Sequence, residues 1–253
     1  MPVNGPLISC VVPTFNSERY LGEALGSILA QTYRPLDIVV ADDGSTDGTA
    51  RVAAGCGGAV RFVSQSTAGP AATRNLGLEA ARGEFVAFLD ADDLWHPEKL
   101  ARQMARFAAR PDLDASTTHV QMFWAEEAAE EGERYKGHPR ARPIPGYSTT
   151  TLLARRGLFE PIGRFDAGLW FGDAMEWFMR ASERGAVIEL LPDVLAYHRV
   201  HGANLTRRRI AASRDEFLGL VKGALDRRRA RQGGGPPPAG PPARDAGAEH
   251  GTD

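Results

Sequence analysis

Short apolar runs alternate with amphipathic stretches along the first hundred residues. Leu7–Thr14 and Leu36–Ala41 are rich in Val, Ile and Leu and read as strands buried on both faces. Val60–Gln65 and Glu84–Asp90 read as a third and a fourth. Between the first two, Tyr20, Leu21, Ala24, Leu25, Ile28 and Leu29 recur at helical spacing over 19–31. Ser45 or Thr46 is placed to cap a short helix through Ala54. Pro70 opens and Gly83 closes a helix over 70–82, the expected asymmetry of helix ends. Pro97 opens another, with Leu100, Met104 and Phe107 on one face. This alternation predicts an α/β fold with a mostly parallel central sheet flanked by helices.

In such sheets a ligand sits outside the carboxyl ends of the strands. Those ends carry Thr14-Phe15-Asn16, Asp42-Asp43-Gly44, Gln65-Ser66 and Asp90-Ala91-Asp92, so the polar clusters share one rim. The last is the most loaded: Asp90, Asp92 and Asp93 crowd three carboxylates into four residues after an apolar strand. A hard divalent cation, Mn²⁺ or Mg²⁺, would relieve that repulsion, because it takes a few carboxylates together with substrate phosphates. An ordinary acidic turn accounts for the same residues without a metal.

The second half is less regular. Ala115–Phe123 reads as a strand, 125–147 as a helical fragment and then a loop, and Gly172 precedes a helix reaching about Arg184. Val187–Leu191 and Val194–Arg199 read as two edge strands around Pro192-Asp193. A basic helix follows over 206–228. From Thr206 to Gln232 there are nine Lys or Arg against three Asp or Glu, a net of +6, which suits either a solvated face or an anionic membrane. The stretch 232–253, rich in Gly and Pro, lacks the apolar surface to offset ordering entropy and reads as a disordered tail. The expected organisation is one domain over 1–231 with a donor half over about 5–110, an acceptor half over about 111–205 and a basic helix over 206–231.

Composition narrows the partners. The formal charge of −2 offers no global basic field for nucleic acid. Cys10 and Cys56 follow no metal or disulfide pattern and read as reduced thiols. The first residues lack a charged leader, and no window approaches a membrane span, so the expectation is a cytoplasmic protein, peripheral to the inner membrane at most.

Four phrases occur in order: Val11-Val12-Pro13-Thr14-Phe15-Asn16, Val39-Val40-Ala41-Asp42-Asp43-Gly44-Ser45-Thr46-Asp47, Gly69-Pro70-Ala71-Ala72-Thr73-Arg74-Asn75-Leu76-Gly77 and Phe88-Leu89-Asp90-Ala91-Asp92-Asp93. Together they resemble the family 2 glycosyltransferases of the GT-A fold, closely over 5–110 and loosely over 145–205. The resemblance implies an inverting, metal-dependent, hexosyltransferase-like enzyme. Its donor would be a nucleoside diphosphate sugar, a UDP-sugar first, and its acceptor an unknown hydroxyl. It places Pro13, Thr14, Asn16, Glu18, Asp42, Asp43, Arg74, Asp90 and Ala91 in nucleotide-sugar binding. Asp42 and Asp43 match the pair at the base, with one of them free to serve as a turn cap. Arg74 matches an arginine near the diphosphate, Asp90 faces the ribose or sugar, and Asp92 with His201 matches the metal site. Asp93 is left to cap the turn before Pro97. His198 has a weaker claim than His201, and Arg199 is a further candidate for the diphosphate.

The base is where this chain departs from the family. If Gly172 and Trp177 fix the alignment, Ala174 occupies the usual position, which leaves Asp173, or second Glu176, as the catalytic base. Carboxylates at a helix start also stabilise without catalysing. Trp170, Phe171 and Trp177 lie beside them and suit either acceptor stacking or core packing. The alternative function is a non-catalytic nucleotide-sugar-binding relative with a degenerate base motif.

Overall fold

The computed structural model describes residues 3–232. Apart from Gln232, the tail expected over 232–253 lies outside the described residues. In chain order the strands are β1 (Val3–Thr14), β2 (Tyr33–Asp42), β3 (Val60–Ser64), β4 (Phe85–Phe88), β5 (Leu94–Trp95), β6 (Ala115–Trp124), β7 (Ile144–Pro145), β8 (Leu153–Arg155) and β9 (Ile188–Val200). The helices are α1 (Leu21–Leu29), α2 (Thr49–Gly55), α3 (Pro70–Ala80), α4 (Lys99–Ala109), α5 (Ala129–Arg134), α6 (Phe159–Ile162), α7 (Asp173–Glu183), α8 (Leu205–Arg208) and α9 (Ile210–Gln232).

The sheet runs β3-β2-β1-β4-β8-β6-β9-β5, with β7 paired to β6. Its first four strands are parallel, as the sequence predicts. The second half mixes directions: β8 is antiparallel to both β4 and β6, whereas β6 and β9 are parallel. The two strands expected around Pro192-Asp193 are one strand, β9. A register shift between Thr118 and His119 of β6 takes up the irregularity at that point. Nor does β9 form the sheet edge, because two-residue β5 pairs with its outer side. The short second helix starts at Thr49 rather than at Ser45 or Thr46, which lie in the preceding loop.

The pleat of β1 sends its side chains to two cores. Ile8, Cys10 and Val12 join Leu21, Leu25 and Ile28 of α1 and Leu100, Met104 and Phe107 of α4. Val11 faces the other way, with Ala71 and Leu78 of α3, Phe159 and Ile162 of α6, and Trp177 and Phe178 of α7. Helices on both faces leave one end of the parallel strands open. There Thr14 pairs with Asp42 and Asp42 with Ser64 in register, so the strand ends are level. Both cysteines are free thiols.

Candidate active site

The level strand ends and the start of α7 border a cavity of about 1070 Å³. Of the residues expected from sequence, Pro13, Thr14, Asn16, Glu18, Asp43, Arg74, Asp90, Ala91, Asp92, Asp173 and His201 line it.

Asp42 and Asp43 divide their work. Asp42 closes the turn after β2: it accepts hydrogen bonds from the Gly44 and Ser45 amides at 3.1 and 2.9 Å and from the Ser45 and Thr14 hydroxyls. It is therefore the turn residue of the pair. Asp43 turns to the rim and holds the next loop, accepting from Ala68 N and Gly69 N and from Gln65 Nε2, each at 2.9 Å. Asn16 adopts a left-handed backbone (φ 48°) and its Oδ1 accepts from Thr46 N. Glu18 lies before α1 and accepts from Gly48 N, ahead of α2, so it decorates the second helix and not the first.

Arg74 is the hinge of the site. Its Nη1 donates to Asp173 and its Nη2 to Asp90, both at 2.8 Å, and it is almost fully buried. Burial alone would lower its pKa, but the two carboxylates raise it, so the guanidinium stays charged. Its Nε–H is buried with no hydrogen-bond partner. Such orphan donors are uncommon in protein interiors.

Asp92 accepts from His201 Nε2 at 2.9 Å and Asn204 Nδ2 at 3.2 Å. Burial would raise its pKa, but the His201 hydrogen bond and the charge of His198 hold it below the usual carboxylate range. Among the described residues, no three His, Cys, Asp or Glu side chains form a complete cation cage. One carboxylate converging with one imidazole on an open cavity fits Mn²⁺ or Mg²⁺ that takes its other ligands from a bound diphosphate. Asp93 does not cap the turn before Pro97. It is buried beneath β9, where it accepts from Arg199 N at 2.9 Å and Thr150 Oγ1 at 3.2 Å and pairs with His198 Nδ1 at 3.0 Å. Burial raises the Asp93 pKa, and the attraction of Asp93 in turn raises that of His198 against its own desolvation.

Three expected residues lie elsewhere. Glu176 is closed on Arg180 by two hydrogen bonds of 2.9 and 2.6 Å, one turn along α7, and Arg180 also binds the Ile162 and Arg164 carbonyls. That is a structural clamp away from the cavity. Arg199 does not reach toward a diphosphate: it lies between the Tyr20 and Phe123 rings and donates to Asp92 O and Glu23. Strand alternation explains this, because His198 and Arg199 must point to opposite faces. Trp177 is fully buried and stacked on Phe159, a core residue, whereas Trp170 and Phe171 line the cavity.

Sequence reasoning missed Glu216. Its carboxylate reaches from α9 to the amides of Trp170, Phe171 and Gly172. Phe15, placed on the rim with Thr14 and Asn16 but given no role, is half-exposed and lines the cavity.

A mannosyltransferase from Pyrobaculum calidifontis, solved with GDP-Man and Mn²⁺, superposes with a TM-score of 0.67 at 25% identity, over 87% of this chain and 64% of that one. The molecule thus has the GT-A fold of nucleotide-sugar transferases. The profile described as glycosyl transferase family 2 matches residues 9–163. The chain belongs to glycosyltransferase family 2. An uncharacterized glycosyltransferase of Rickettsia typhi is 35% identical over 242 residues, which cover 87% of this chain and 72% of that protein. Another, from Nostoc sp. PCC 7120, is 30% identical over 212 residues. This chain spans 66% of the Nostoc relative's length.

Proposed function

We propose that this chain is an inverting, metal-dependent glycosyltransferase that moves a sugar from a nucleoside diphosphate donor, a UDP-sugar first, to an acceptor hydroxyl. Asp173 carries this reading. It is a buried carboxylate at the start of α7 that accepts a hydrogen bond from Arg74, and it faces the cavity that Asp92 and His201 also line. A base and a diphosphate site on one cavity are what a single displacement needs.

Asp173 takes the proton of the acceptor hydroxyl as that oxygen attacks the anomeric carbon. The bond to the diphosphate oxygen breaks, and its electron pair leaves with the nucleoside diphosphate. One displacement inverts the anomeric centre. Asp92 and His201 would hold the divalent ion, which supplies countercharge to the departing diphosphate. The Arg74 guanidinium, which lines the cavity and stays charged, would supply positive charge beside the diphosphate. Asp90, about a third exposed beside it, accepts a hydroxyl of the ribose or sugar. Asp43 spends three acceptor sites on its loop, and a carboxylate has about four. The one that remains suits a ring N–H of the base. The donor half is about 5–110 and the acceptor half about 111–205.

The C-terminal segment suits peripheral contact with an anionic membrane. Among the described residues no helix is long and apolar enough to cross one. Yet α9 turns Ile210, Phe217, Leu218, Val221 and Leu225 outward, exposed, within a strongly basic stretch.

The test is donor binding by calorimetry with and without Mn²⁺ across UDP- and GDP-sugars, followed by transfer or donor hydrolysis. Asp92→Ala should lose the metal-dependent part of binding. Asp173→Asn should bind donor normally and lose roughly 10²- to 10⁴-fold in turnover. Wild-type turnover by Asp173→Asn would refute the assignment of the base. Donor binding by the wild type without transfer or hydrolysis would favour the non-catalytic binder that Ala174 suggests.

A further inference from the structure

We propose that Glu216 is a positioning residue: its carboxylate fixes the start of α7 and so the aim of Asp173. The inference rests on Asp173 as base. The N-terminal amides of a helix lack intrahelical acceptors and need outside partners. At α7 the residue before the helix is Gly172, and no local side chain caps it. A distant element instead answers the Gly172 amide and the two amides before it. Glu216 Oε2 accepts from Trp170 N at 3.0 Å, and Oε1 accepts from Phe171 N at 2.8 Å and Gly172 N at 2.6 Å. One carboxylate thus holds the three residues that lead into Asp173. Its negative charge also complements the positive end of the helix.

The remaining contacts make this a seat rather than a chance approach. A Cβ on Gly172 would collide with Leu220, one turn beyond Glu216 on α9. The Arg209 guanidinium lies 5.0 Å from the centre of the Trp170 ring. Glu216 itself does not line the cavity, so it acts through the loop and not on substrate. The orientation of α9 points the same way: it turns Glu216 and Leu220 inward and leaves Phe217, Leu218 and Val221 exposed.

The test uses the full chain with Glu216→Ala, Glu216→Gln, Gly172→Ala and Asp173→Asn, followed by steady-state turnover and by amide hydrogen exchange over 170–173. In Glu216→Ala, exchange over 170–173 should rise, and kcat should fall roughly tenfold or more, since small displacements of a reacting group cost that much. Donor KM should stay within about twofold, because the donor residues lie on other elements. Glu216→Gln, which keeps one acceptor oxygen, should recover part of kcat. Gly172→Ala, whose Cβ would crowd the Leu220 methyl and the Glu216 carboxylate, should reproduce the Glu216→Ala split in weaker form. A purely structural role would lower the melting temperature but leave kcat of the folded protein unchanged, and that result overturns the proposal. If Asp173→Asn is inactive while Glu216→Ala turns over normally, this inference fails alone. If Asp173→Asn turns over normally, the base assignment fails, and the exchange data still report whether Glu216 holds the loop.

Discussion

Lys99 should cost this protein stability at neutral pH, and replacing it by Met should recover that stability in a pH-dependent way. The residue starts α4 with no solvent exposure. Its ammonium makes one hydrogen bond among the described residues, to Gln103 Oε1 at 2.9 Å, and lies 4.3 Å from the centre of the Trp95 ring. An ammonium has three donors, so two go unanswered. Burial pushes its pKa down to about 7 from the ordinary 10.5. Between those values the unfolded chain holds the proton and the folded one releases it, so the Lys99 contribution to stability rises with pH. At about 1.4 kcal/mol per unit, the penalty approaches about 5 kcal/mol below pH 7 and shrinks by about 2 kcal/mol from pH 7 to 9. Other groups titrate against it. His198, raised by Asp93, loses stabilising charge over that range, and Cys10, pushed up to about 12 by burial, opposes it above pH 9. The observable is therefore the difference between wild type and Lys99→Met in urea unfolding at pH 7, 8 and 9. Met fills the volume without charge, and the variant should be more stable at pH 7 by about 1–4 kcal/mol. That advantage should narrow by about 2 kcal/mol at pH 9. A difference that does not change with pH, or a less stable variant at pH 7, would refute the reasoning.

Asp42→Ala should lower stability by about 2–4 kcal/mol in thermal or urea melts, since it leaves the Gly44 and Ser45 amides and the Ser45 hydroxyl of the turn without their acceptor. Donor affinity of the folded fraction should stay near wild type; a loss of affinity with no change in melting would instead put Asp42 on the donor. Gly77→Ala forces a Cβ of α3 into Val11 on β1, and despite better helix propensity it should cost about 1–3 kcal/mol in urea unfolding. Glu176→Gln should keep kcat within about threefold while lowering the melting temperature, because its carboxylate serves Arg180; a hundredfold loss of kcat would move the base to Glu176.

The parallel half of the fold was legible because its strands are short apolar runs and its helices carry clear periodicity and end signals. Asp90 and Asp92 stood out for the same reason: charge is conspicuous where a buried strand ends. Asp173 came instead from the family resemblance, as the first of two carboxylates flanking Ala174. Two kinds of information were not in the pattern. The first is direction. His198 and Arg199 are adjacent in a promising segment, but the pleat sends one to the cavity and the other between two rings. The second is distance in the chain. Nothing around Glu216 signals that it holds the lead-in to a helix, 44 to 46 residues earlier, because the partners are backbone amides, which every sequence contains. The single strand β9 was read as two because Pro192 normally interrupts a ladder, whereas here it falls where the pairing with β6 shifts register.

Arg74 ties the two halves of the chain together with one cation shared by Asp90 and Asp173. Anyone exchanging residues 111–205, the proposed acceptor half, for those of a relative inherits a constraint unrelated to the acceptor. The incoming segment must present an acceptor at position 173, or Nη1 of the buried Arg74 guanidinium loses its hydrogen-bond partner. Whatever replaces that segment must also complete a hydrogen bond made by the other half of the chain.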